Sequence, residues 1–189
     1  MQMHRKSATH GRVPGHHAPV DKPLPKPVPN RTASGRGYFL VGVLVLTAFV
    51  LQALAHWRWP WLTDLQADDI YKQLSGFALL ALIGYQWRFS VLRSRGESRR
   101  ALAMIKRHKW LGALAPAFFY LHSQGLGHAY TTALSAAFFG VFLTGLCNLE
   151  ITRIRKPWFQ PAWVIAHVTL SSSLLFLMAY HVYISYTFE

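Results

Sequence analysis

The sequence is poor in the residues on which most soluble chemistry relies: of 189 residues, only 7 are Asp or Glu and 1 is Cys. Cys147 stands alone, which excludes an intramolecular disulfide, a Cys-based iron-sulfur cluster and a C-x-x-C-H haem attachment site within this chain. No G-x-G-x-x-G run follows a strand pattern, and no soluble stretch is long enough to fold around a nucleotide. Any chemistry is therefore expected inside the apolar part of the chain.

Apolar side chains are abundant. Hydrophobic residues make up 52% of the chain and aromatic ones 14%, too rich a mixture for an ordinary soluble domain. They fall in blocks separated by basic segments, and about 20 apolar residues suffice to cross a hydrocarbon core of about 30 Å. The pattern predicts an all-α membrane protein whose domain, residues 38–189, holds five spans at 38–55, 73–88, 105–123, 131–149 and 162–186. The second and third blocks are short but extend into basic segments whose Arg and Lys side chains reach back to the interface.

Orientation follows from the cations, because Lys and Arg resist translocation. Of the 20, seven precede Tyr38, eight lie between Arg88 and Lys109, and three lie between Arg153 and Lys156; only Arg58 and Lys72 fall on the other side. The N-terminus is expected to be cytoplasmic and Glu189 to lie outside, as in a multi-pass protein of a bacterial inner (plasma) membrane. The net charge of +13 then expresses topology, and no nucleic-acid module accompanies it. Residues 1–37 hold six of the ten prolines and four histidines. They read as a disordered basic tail, unable to bury enough surface to offset its ordering entropy and held near anionic lipid. The Ala53–Ala55 run resembles a signal cleavage site, but the apolar stretch before it is longer than a signal core, so a retained helix is expected.

Within this frame the histidines stand out. "HKWLGALAPAFFYLH" (108–122) and "HVTLSSSLLFLMAYH" (167–181) each carry a histidine at both ends of a mostly apolar run with the same spacing. Fourteen residues advance about 21 Å along an α-helix and complete nearly four turns, so both histidines of a run share one face. One span separates the two runs, so they are parallel, with His108 level with His167 and His122 level with His181. Two facing imidazole pairs offer axial ligands to two haems of the b type. Gly112 and Ala115 leave room beside the third span, and Arg107 and Lys109 stand ready to neutralise haem carboxylates. His56 and His128 are explained by an aromatic interfacial belt, although His128 is also placed to touch an outer haem carboxylate.

These paired histidines on the third and fifth spans resemble the transmembrane domain of ferric reductases and NADPH oxidases, and more broadly the cytochrome b subunits that carry two haems. The resemblance implies that His108 and His167 hold an inner haem and His122 and His181 an outer one. It also implies transmembrane electron transfer between a quinol or a separate redox protein and an acceptor on the opposite face. It extends over residues 73–187 but not to a sixth span or a flavin or NADPH domain, so the chain is expected to work as an electron-transfer subunit of a larger complex. Tyr120, Tyr180 and His128 are candidate polar groups for a quinol. The competing class is a haem-free transporter or anchor whose intramembrane histidines bind a metal ion or protons. Against it, the spans lack carboxylates except at their edges, and ligands about 21 Å apart on one helix cannot share an ion.

Overall fold

A computed structural model describes residues 32–154 and 156–188. The predicted tail, residues 1–31 of it, lies outside the described residues. Seven helices follow one another: α1 (Thr32–Leu54), α2 (Pro60–Ala67), α3 (Asp69–Ser94), α4 (Ser98–His122), α5 (Tyr130–Leu146), α6 (Leu149–Thr152) and α7 (Phe159–Thr187). Among the described residues there is no strand. The five long helices overlie the five apolar blocks, and α1 begins at Thr32, so the last tail residues are helical rather than disordered. Two segments are long and apolar enough to cross a membrane, Gly37–Leu54 within α1 and Phe159–Thr187, while Tyr130–Leu146 is a shorter apolar helix.

Local chemistry explains the boundaries. Pro60 opens α2 at a position that needs no amide hydrogen. The Asp68 carboxylate caps α3 by accepting the Tyr71 amide at 2.8 Å. Residues 95–97 alone join α3 to α4, and the reversal passes through Gly96 at φ +73°. Gly127, at φ +76°, precedes α5; a Cβ there would lie 2.1 Å from Thr131 Oγ1, so the turn accepts only glycine.

Helix α4 packs against α1, α3 and α5, whereas α7 packs mainly against α5. The α1 contact is close because Gly37 and Gly42 bring its backbone against Trp110 and Leu146, the use that bundles of this kind make of small residues. Small residues act likewise on α5, where Gly140 faces Leu170 of α7. The buried centre comprises Phe49, Leu79, Ile83, Phe119, Phe138, Leu174 and Met178, drawn from all five long helices. In a lipid setting such a core is held by dispersion and interlocking shape, because burial from lipid yields little hydrophobic gain.

Polar contacts fix the two ends of the bundle. At the basic end, the Asn148 amide donates to Tyr38 Oη at 2.9 Å and accepts the Glu150 amide at 3.0 Å. Lys109 pairs with Glu150 and lies 5.3 Å from the centre of the Tyr38 ring, joining α1, α4 and α6. At the far end, buried Gln124 donates to Thr63 Oγ1 at 3.1 Å and accepts the Trp59 amide at 3.2 Å. Gln66 donates to the Tyr120 carbonyl at 2.9 Å. These bonds strap α2 across the end of α4. The short helix lies between the first two expected spans, where the mixed composition carries no clear apolar period.

Candidate functional site

The bundle brings the four predicted histidines together in two pairs. His108 and His167 have ring centres 6.3 Å apart with planes at 84°. His122 and His181 have centres 6.5 Å apart with planes at 79°. Both separations are those of edge-to-face ring contacts, and they suit a second arrangement as well. A metal ion bonded to one nitrogen of each of two opposed imidazoles sets their centres about 6 Å apart, from two bonds of about 2 Å and roughly 1 Å from each nitrogen to its ring centre. Both pairs have that spacing, and each joins α4 to α7, two helices that barely touch elsewhere.

The far-end pair lines a cavity of about 1000 Å³, at the upper end of the volumes that hold large organic ligands. Leu79, Ile83, Phe119, Phe138, Leu174 and Met178 form its apolar wall, and Lys72, Asp69 and Tyr186 stand at its polar rim. The wall is the bundle's core cluster, which lies between the levels of the two pairs. Gly76 faces His122, and a Cβ there would lie 3.2 Å from His122 Cε1. The helix therefore gives up a side chain where the imidazole stands.

Each ring is held by its surroundings. His167 stacks on Trp163, centres 5.4 Å apart and planes 6° from parallel, and its Nδ1 lies 2.8 Å from Thr144 Oγ1. His122 Nδ1 lies 3.1 Å from Ser75 Oγ, and His181 Nδ1 lies 3.4 Å from the Tyr130 hydroxyl. His108 stacks on Phe89 with centres 5.0 Å apart, and its carbonyl accepts from Gln86 Nε2 at 3.0 Å. Ser75, Gly76, Gln86, Tyr130, Thr144 and Trp163 were not assigned these contacts from sequence. The available signal was a polar residue or glycine at ligand depth on a neighbouring helix, uninformative until the helix faces are paired.

Three predicted neighbours behave differently. Beside Gly112 stands the Gln86 amide, 3.3 Å from where a Cβ would stand. The Lys109 ammonium is engaged by Glu150, so it serves the packing of α4 on α6. Arg107 is exposed. His56 and His128 are exposed and belong to neither pair; His56 Nδ1 lies 3.0 Å from the Leu54 carbonyl. Among the described residues, no group of three or more His, Cys, Asp or Glu could hold a metal ion. Each pair thus brings two imidazoles together without a third such group beside them among the described residues.

No known protein family, curated protein or solved structure matches the chain.

Proposed function

We propose that the chain is a membrane cytochrome b that carries electrons across the bilayer, with one haem between His108 and His167 and a second between His122 and His181. The observation that carries this reading is the repeated imidazole separation of 6.3 and 6.5 Å. A haem would take two protein ligands, and each pair could supply two imidazoles, His108 with His167 and His122 with His181. The far-end cavity, with its apolar wall and polar rim, suits a flat macrocycle that carries carboxylates on one edge, and the rim holds Lys72, which pairs with Asp69 at 3.1 Å.

When bound, haem supplies a one-electron ferric/ferrous couple. The chain supplies placement and environment. Helices α4 and α7 place the histidine pairs about 21 Å apart along their length, and an aromatic and aliphatic core lies between them. The five long helices are the spans, the basic end faces the cytoplasm of a bacterial-type plasma membrane, and the far end faces outward, by the cation asymmetry. Electrons pass between a quinol or a redox protein on one face and an acceptor on the other, which makes the chain one subunit of an oxidoreductase. The haem-free transporter reading is less well served, because two imidazoles with no third ligand hold a bare ion poorly.

The test is the haem-to-chain ratio of protein purified from cells supplied with haem precursor. Two per chain is expected, falling to one in His122→Ala and in His181→Ala with the remaining Soret band intact. Absence of a Soret band in the unsubstituted protein would overturn the proposal.

A further inference from the structure

The second nitrogen of each imidazole divides the ligands into two kinds. Thr144 Oγ1, which lies 2.8 Å from His167 Nδ1, also lies 3.0 Å from the Gly140 carbonyl and 2.9 Å from that of Val141. Ser75 Oγ, which lies 3.1 Å from His122 Nδ1, also reaches the Lys72 carbonyl at 3.2 Å. A hydroxyl has one hydrogen, and a carbonyl can only accept. With that hydrogen given to its own helix, the hydroxyl turns lone pairs to the imidazole, and Nδ1 must bring the hydrogen for the second bond. A neutral ring protonated at Nδ1 carries its free lone pair on Nε2.

We infer that Thr144 and Ser75 are positioning residues, each locking one histidine, His167 and His122 respectively, as the Nδ1–H tautomer with Nε2 presented to haem iron. The inference rests on the proposed haem sites and adds what selects the ligating nitrogen. It also makes the basic-end pair unequal. Thr144 holds His167 twice over, since its carbonyl accepts from Trp163 Nε1 at 2.7 Å and that indole stacks on the ring. Opposite it, His108 Nδ1 is buried with no hydrogen-bond partner, as is Oε1 of neighbouring Gln86. In the other pair, the Tyr130 hydroxyl stands 3.4 Å from His181 Nδ1, a longer approach than that of Ser75 to His122. An imidazole whose Nδ1–H is accepted gains electron density and favours ferric over ferrous iron. His167 is therefore the stronger donor of the basic-end pair.

Hydroxyls in this chain also bond back to their own helix where no histidine is near, as Ser172 does to the Val168 carbonyl at 2.9 Å. Ser172→Ala is thus the matched control. Thr144→Val, Thr144→Ser, Ser75→Ala and Ser172→Ala are to be compared in full-length protein by haem content, by potentiometric titration of each haem and by the low-spin ferric EPR signal. Thr144→Val should raise the midpoint of one haem and shift its EPR signal, with the other unchanged, and Thr144→Ser should restore both. Ser75→Ala should raise the other midpoint, and Ser172→Ala neither. Two haems with unmoved midpoints in Thr144→Val and Ser75→Ala would overturn the inference and leave the haem sites standing. Loss of the haem in Thr144→Ser as well as Thr144→Val would also overturn it, assigning Thr144 to packing. A protein that binds no haem before any substitution would remove both this inference and the proposal beneath it.

Discussion

Gly76→Ala tests the histidine cavity more sharply than removal of a ligand, because it adds a single methyl group. That methyl would stand 3.2 Å from His122 Cε1, 3.7 Å from Nδ1 and 3.9 Å from Nε2, against a comfortable carbon–carbon distance of about 3.5–4.0 Å. The imidazole must retreat by a few tenths of an ångström, and crowding of this kind costs about 1–3 kcal/mol. Replacing a mid-helix glycine with alanine returns about 1 kcal/mol of helix preference. Gly84, eight residues along the same helix, has nothing within 4 Å of its added Cβ. Gly84→Ala should therefore gain that preference undiminished, leaving the two variants separated by about 1–3 kcal/mol. If the ligand bears the strain, each 1.4 kcal/mol is a tenfold weaker hold on the haem at His122 and His181. Thermal unfolding in detergent and haem retention during dilution read the two effects. Equal stability and equal haem retention in the two variants would refute the placement of His122 against Gly76.

Three further perturbations follow from the packing. His108→Ala and His167→Ala should each remove the basic-end haem and spare the other, seen as a halved haem-to-chain ratio with the midpoint of the surviving haem unchanged. Lys109→Met should lower stability by about 1 kcal/mol through loss of the Glu150 pair and the Tyr38 contact, with haem content unaltered; loss of haem would show that the cation serves the cofactor instead. Gln124→Leu leaves the Trp59 amide and the Tyr120 hydroxyl without their shared acceptor, at a cost of about 1–3 kcal/mol. Hydrogen exchange should then quicken selectively over residues 57–67.

Much of this arrangement was legible in the sequence because its two strongest signals are periodic. The apolar blocks located the long helices, and the matched spacing of His108–His122 and His167–His181 anticipated which rings meet, since depth along parallel helices follows from counting residues. The remainder depends on rotation of helices about their own axes, which spacing on one helix does not set. The contact of Gln86 with Gly112 could not be read from sequence, because it depends on α3 turning that face toward α4. Thr144 is one residue of the fourth apolar block, yet its hydroxyl reaches an imidazole. Helix α2 went unseen because Pro60–Ala67 is short and mixed, and its definition comes from Gln66 and Gln124 across the fold.

The sparse contact between α4 and α7 bears on how the protein is made. One ligand of every pair belongs to the half formed by α1, α3 and α4, and the other belongs to α5 and α7, the half that emerges last during synthesis. If the proposed haems bind, neither half alone possesses a finished site, so cofactor capture would wait for the final span and then fasten the two halves at two depths. A chain starved of haem would retain a loose seam along its middle, the opening through which quality-control proteases of the membrane could tell an unfinished copy from a finished one.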